Sequence, residues 1–248
     1  MEKTRVNREK EWHNRTFGSD VRAKTDKFYS IFGRLYSEQN KAIAENLQKD
    51  TTVFLDYGCG SGHYLIQHAP MIKKGVGIDI SEALVDRAKA EKHNANIENL
   101  EFSVMDAMQT SFANNSFDII HGQAILHHLD LEKSLEEIKR ILKPDGKAFF
   151  AEPLDTNFLI KWYRKRTPEA RTADEQPLRK RDIKLIKLLF PGAEIKHYFC
   201  FALLAVPFRN RKSFGAILSL LCAIDNLLLS KYSPFKWLAW YCTIVLKK

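Results

Sequence analysis

The chain has 248 residues, 45% hydrophobic and 28% charged, with 11 Gly, 8 Pro and 4 Cys and a formal net charge of +9. That is enough apolar material for a substantial core, and it excludes disorder, collagen-like sequence and a disulfide scaffold. The length predicts one domain with extensions.

Residues 12–47 mix Trp12, Phe17, Phe28, Tyr29, Phe32 and Tyr36 with charges, and the later part has helical spacing. The start, Met1 to Arg15, alternates charges without an apolar run, so no secretory signal is expected and the cytosol is the expected address. The cysteines, at 59, 200, 222 and 242, form no CxxC pair and read as buried thiols of a reducing compartment.

From 51 to 152, short apolar runs alternate with helical patterns, the signature of βαβ units on a mostly parallel sheet. Thr52 to Leu55 predicts a first strand ending at Asp56, followed by Tyr57-Gly58-Cys59-Gly60-Ser61-Gly62 and a short helix limited by Pro70. Val76 to Ile78 predicts a second strand ending at Asp79, with Ser81 as the N-cap of the next helix. Leu100, Phe102 and Val104 alternate as a third strand before Asp106, and Phe117 to Ile120 begins a fourth before His121-Gly122-Gln123 and Leu126-His127-His128-Leu129. Leu131, Leu135, Ile138 and Leu142 repeat at helical spacing until Lys143-Pro144-Asp145-Gly146, which reads as a turn. Ala148 to Ala151 continues as a fifth strand. Ile183, Ile186, Leu189 and Phe190 mark a helix closed by Pro191-Gly192, and segments near 194–205 and 239–246 are expected to pair at the sheet edge.

A Gly-rich turn after a first strand brings backbone N–H groups against a ligand, since no Cβ stands in the way. A dinucleotide fingerprint would place its third glycine where His63 stands, so NAD is disfavoured. Asp79, closing the second strand, can accept both hydroxyls of a ribose. The pattern suits an adenosine ligand without a pyrophosphate.

Four elements in order, Leu55-Asp56-Tyr57-Gly58-Cys59-Gly60-Ser61-Gly62, Gly77-Ile78-Asp79-Ile80-Ser81, Met105-Asp106-Ala107 and Leu142-Lys143-Pro144-Asp145-Gly146, resemble the class I S-adenosylmethionine-dependent methyltransferases over roughly residues 50–152. The resemblance implies a Rossmann-like, doubly wound α/β fold. Its sheet would be mostly parallel and seven-stranded, with helices on both faces and an antiparallel edge strand. It implies S-adenosylmethionine as cofactor and S-adenosylhomocysteine as product. The first-motif acid falls on Asp56, the loop beside the methionine part on Tyr57, Gly58, Cys59, Gly60 and Gly62, the ribose acid on Asp79 beside Ile80, and the adenine-edge acid on Asp106 beside Ala107. Gln123 could bond the methionine end. By the same resemblance residues 1–50 form a helical lid, 51–152 the cofactor-binding core and 153–248 a substrate side that completes the sheet, with an apolar insertion at about 206–238.

Methyl transfer from a sulfonium is an in-line displacement, so the protein mainly positions its reactants. A general base is needed only for a protonated acceptor such as a hydroxyl. His127 and His128 stand where the acceptor pocket of such enzymes opens, with Glu152 the next candidate; the other reading of the paired histidines is helix-start packing. His121 reads as a buried strand residue. The histidines show no His-Glu-x-x-His and no ligand spacing with carboxylates, so no metal is expected, and no GxSxG surrounds Ser61.

Residues 1–50 hold 11 basic and 8 acidic side chains, 51–142 hold 8 and 13, and 143–248 hold 20 and 9. The basic surplus around Lys161-Trp162-Tyr163-Arg164-Lys165-Arg166 and Arg179-Lys180-Arg181 can meet RNA, anionic headgroups, a phosphorylated substrate or solvent. Phe214 to Leu229 is strongly apolar but broken by Asp225-Asn226, which disfavours a membrane span. Peripheral contact with an anionic membrane, aided by Arg209, Arg211, Lys212, Lys231 and Lys236, stands beside packing over the acceptor pocket or in a dimer. Three functions follow. The leading one is methylation of a small, hydrophobic or carrier-linked metabolite; the others are an RNA methyltransferase, favoured only by total charge and lacking any RNA-binding signature, and a silent cofactor-binding scaffold acting through a partner.

Overall fold

Uninterrupted apolar runs form the central strands because both faces of a parallel sheet are covered by helices. The computed structural model describes residues 4–16, 27–168, 172, 174–230 and 232–248; Phe17 and Lys231 lie outside the described residues. The strands are β1 (Val53–Tyr57), β2 (Lys74–Asp79), β3 (Leu100–Val104), β4 (Phe117–Gln123), β5 (Leu142–Pro153), β6 (Glu194–Tyr198) and β7 (Tyr241–Lys247). They make one seven-stranded sheet in the order β3-β2-β1-β4-β5-β7-β6. The first five pair in parallel, and β7 runs antiparallel to both β5 and β6. The expected antiparallel strand is thus β7, slotted between β5 and the edge strand β6. Strand order reverses between β1 and β4, which opens a crevice at their carboxyl ends.

The helices are α1 (Arg5–Thr16), α2 (Gly33–Ala44), α3 (His63–His68), α4 (Glu82–Asn94), α5 (Leu131–Ile141), α6 (Phe158–Arg166), α7 (Lys180–Leu189) and α8 (Phe214–Leu228). Strand periodicity divides neighbouring residues between the two faces. Leu55, Ile120 and Phe150 pack with Leu135 and Ile138 of α5 and Ile183 and Ile186 of α7. Phe54, Ile119 and Phe149 pack with Ile43 of α2, Leu65 of α3 and Val85 and Ala88 of α4. A third cluster joins Ile31, Phe32 and Leu35 to Ile160, Phe199, Leu203, Cys222 and Tyr241.

Local chemistry sets the boundaries. Ser81 caps α4, accepting from Leu84 N at 3.3 Å, and Asp130 and Asn157 cap α5 and α6 in the same way. The turn expected at 143–146 is instead a bulge inside β5: Leu142 pairs with Phe117, and the ladder resumes at Ile119 and Lys147. Asp145 takes a φ of 62° there, as a bulge demands of one residue.

The apolar insertion lies between β6 and β7, as a 3-10 segment Phe201–Phe208, then α8, then a 3-10 segment Pro234–Leu238. Asp225, which breaks the apolar run in sequence, is buried and accepts from Cys200 N at 3.1 Å, Phe201 N at 2.7 Å and Ala202 N at 3.1 Å. Its carboxylate fastens α8 to the start of the first 3-10 segment. Among the described residues, no helix is long and apolar enough to cross a membrane.

Candidate active site

A cavity of about 750 Å³ occupies the crevice where strand order reverses. Gly58, Gly60 and Gly62 have φ of 82°, 52° and 77°, a left-handed run that only glycine adopts without strain. It turns the chain from β1 into α3. Asp79 closes β2 and accepts from Gly60 N and Ser81 N, each at 2.9 Å, so it ties the loop to the next strand. Burial raises its carboxyl pKa, and the N–H donors offset part of that rise. Asp79 lines the cavity, and a carboxylate has acceptor capacity beyond these backbone donors. Asp106 accepts from Met108 N at 2.8 Å and lines the same space, as do Ile80 and Ala107.

Asp56, Gly58, Cys59, Gly60 and Gln123 also line the cavity. Tyr57 and Gly62 do not: Tyr57 is buried in the core with its hydroxyl donating to Ala107 O, and Gly62 lies against Phe102. Asp56 is buried and bonds His121 Nδ1 at 2.8 Å, while the His121 ring stacks on Tyr64 with centroids 3.6 Å apart. His121 is thus the buried strand residue expected. Gln123 donates to the Tyr36 hydroxyl at 2.6 Å, linking β4 to α2.

The far end of the cavity is built on Leu126–His128, a 3-10 turn after β4. Glu152 on β5 is fully buried and accepts from Ile125 N at 2.9 Å and Leu126 N at 2.8 Å through one oxygen. Its other oxygen meets His127 Nδ1 at 2.7 Å. A carboxylate so occupied orients His127 and does not face the cavity. His127 Nε2 lies 3.8 Å from Glu175, whose carboxylate is 2.7 Å from Arg164. His128 Nδ1 lies 3.2 Å from Glu9. Burial, and then His128, lower the His127 pKa against the pull of Glu152.

Helix α1 covers this space. Arg8 forks onto Asp174 with two contacts of 2.7 Å, and Thr172 donates to Glu9 at 2.6 Å. On the other side Lys10 meets Glu82 at 2.7 Å and Asn14 bonds Ser81. The aromatic walls of the cavity include Phe28, Tyr29, Tyr163, Trp240 and Tyr241, and none of the described residues of 206–238 lines it. Glu9 and Glu175 carried no sequence signal, since each is far in sequence from the turn it meets, and Arg164 was legible only as part of a basic run.

Together these features define a class: a doubly wound α/β fold whose strand-order crevice offers a glycine loop and two strand-end acids to an adenosine-sized ligand. Residues 55–150 match the model of a methyltransferase domain. In that part the chain is similar to methyltransferases. The chain is 33% identical over 99 residues to the uncharacterized methyltransferase YcgJ of Bacillus subtilis, an alignment covering 40% of this chain and 39% of that protein, so the chain spans well under half of this relative. Among solved structures it resembles a Haemonchus contortus phosphoethanolamine N-methyltransferase 2 with S-adenosylhomocysteine (TM-score 0.65, 17% identity, 96% of this chain and 59% of that one). It also resembles a geranyl diphosphate C-methyltransferase from Streptomyces coelicolor (TM-score 0.60, 13% identity, 86% and 79%). At these identities the likeness is one of fold.

Proposed function

We propose that the chain binds S-adenosylmethionine in the crevice and transfers its methyl group, by in-line displacement, to a small, hydrophobic or carrier-linked acceptor. The observation that carries this reading is the continuity of one cavity from Asp79 and Asp106 to His127. In it Asp79 takes the ribose hydroxyls and Asp106 the adenine amine, Gly58 and Gly60 admit the methionine part, and Gln123 borders it. Tyr57, Gly62 and Glu152 act one layer behind. With a hydroxyl acceptor, His127 Nε2 takes the proton, positioned by Glu152; with other acceptors, His127 and His128 shape the pocket. The aromatic walls favour an apolar acceptor.

An RNA substrate has less support, because the basic run is partly spent within the chain. Lys161 meets Asp155 at 3.2 Å, Arg164 meets Glu175, and the Arg166 guanidinium stacks 3.9 Å over Trp162. Peripheral binding to an anionic membrane is supported by exposed Phe158, Leu159, Trp162, Leu204, Phe208, Leu220 and Leu227 and by exposed Arg209, Arg211 and Lys212. Calorimetry should give saturable S-adenosylhomocysteine binding, and metabolite extracts incubated with labelled S-adenosylmethionine should yield a labelled small product. Binding without any labelled product would mark a silent scaffold instead, and absence of binding would remove the reading.

A further inference from the structure

The acceptor end of the cavity gathers more ligating groups than a proton relay requires. His127 and His128 are adjacent on one tight turn, with ring centroids 4.2 Å apart. The loop that follows α6 delivers Glu175 to the same point, held by Arg164 and by the backbone bond from Gln176 N to His127 O at 2.8 Å. One ligand atom from each of His127, His128 and Glu175 lies within 4.8 Å of the other two. We propose that these three side chains bind one divalent transition-metal ion of the zinc class, with a free coordination position facing the acceptor space.

Three further observations support the assignment. First, His127 is fixed as a metal-ligating imidazole usually is: Nδ1 is bonded to the buried carboxylate of Glu152 at 2.7 Å, which leaves Nε2, 3.8 Å from Glu175, as the ligating atom. Second, two imidazoles and one carboxylate are the donor set of open zinc sites, and nitrogen donors select a transition metal over magnesium or calcium, which prefer oxygen. Third, the spacing is near closure. Donors around a tetrahedral zinc stand about 3.4 Å apart, and His127 Nε2 to Glu175 Oε1 is 3.8 Å. Rotation of the Glu175 carboxylate and the His128 ring supplies the rest. Glu9, 3.2 Å from His128, adds negative charge that offsets the Arg164 guanidinium on Glu175.

The ion and a proton compete for one atom, His127 Nε2. A loaded site would therefore lower the pKa of a coordinated acceptor hydroxyl so that its proton leaves to solvent, rather than to the imidazole. The site itself stands whether or not the chain transfers methyl groups.

The test uses the full chain stripped with a chelator and titrated with Zn²⁺ or Co²⁺ alone. Calorimetry should give one ion per chain, and Co²⁺ should show the visible absorption of a low-symmetry nitrogen-containing site. Imidazole ¹⁵N spectra of the wild-type chain should show two histidines shifting with Zn²⁺. His128→Ala and Glu175→Gln, checked for fold by circular dichroism, should each weaken Zn²⁺ binding by roughly 100-fold or more; even loss of an outer partner such as Glu152 typically costs about 10–100-fold. No saturable binding, imidazole spectra unchanged by Zn²⁺, or affinity equal to wild type in both folded variants would overturn the site.

Discussion

Gly60 and Gly62 share a left-handed backbone but meet different surroundings. A Cβ on Gly62 would stand 2.7 Å from the Phe102 ring and 2.9 Å from Ala88, whereas one on Gly60 would meet nothing within 4 Å. Gly62→Ala should therefore cost about 3 kcal/mol of stability, combining backbone strain with overpacking. Gly60→Ala should cost only about 1 kcal/mol from strain, yet weaken S-adenosylhomocysteine binding by crowding the loop. Urea denaturation and calorimetry on both variants separate these effects; equal stability losses would contradict the packing argument. Asp79→Ala removes the acceptor for two ribose hydroxyls, each bond to a charged group worth about 1.5–3 kcal/mol. The affinity for S-adenosylhomocysteine should fall by roughly 10²–10⁴-fold, and unchanged affinity would remove Asp79 from the site.

At the scale of elements, α2 is joined to β6 through Glu38. Burial alone would raise its pKa, but Lys196, Arg34 and Tyr198 hydrogen-bond its carboxylate and hold it at about 2. Arg34 donates at 2.8 Å and Tyr198 at 2.7 Å. A lowered folded-state pKa means this stabilisation is present above the ordinary Glu value near ~4.3 and is lost as pH falls toward about 2. Glu38→Gln should lower stability at pH 7 by about 1–2 kcal/mol, discounted for partial exposure, and flatten the acid limb of the unfolding profile. An acid limb identical to wild type would exclude the link. Asp225 joins α8 to residues 200–202 in a comparable way, with three backbone donors on one buried carboxylate. Asp225→Ala orphans those donors and should cost roughly 2–4 kcal/mol, with Asp225→Asn recovering part of it.

At the scale of the whole molecule, the +9 charge resolves into distinct fates. Arg8 is spent on holding α1 to Asp174, and Arg164 on Glu175 inside the cavity wall. Arg209, Arg211 and Lys212 remain exposed beside Phe208 and α8. If that rim meets an anionic surface, the chain should float with anionic liposomes at low salt and be released as salt rises, because exposed charge is screened within about 8–10 Å. Recovery wholly in the soluble fraction, with anionic lipid at low salt, would reject membrane association.

The strands, their order of appearance, the glycine loop and the strand-end acids were legible in sequence because they depend on local physics. Period-two burial writes Phe54/Leu55 and Ile119/Ile120 as paired apolar residues, and a left-handed turn writes itself as Gly58, Gly60 and Gly62. Ser81 was readable as a cap for the same reason, since its bond to Leu84 N spans one turn. Only tertiary structure decided the rest. Lys143-Pro144-Asp145-Gly146 has turn chemistry, but pairing with β4 and β7 absorbed it as a bulge in β5. Asp225 reads as a break in an apolar helix, and only the approach of residues 200–202 makes it a cap. The acceptor end went furthest from local information: His127 is defined by Glu152 from β5, Glu175 from the loop after α6 and Arg164 from α6 itself, while Glu9 from α1 meets His128. Contacts between elements so distant in sequence leave no periodicity to read, because they are fixed by how the sheet and its covering helices pack.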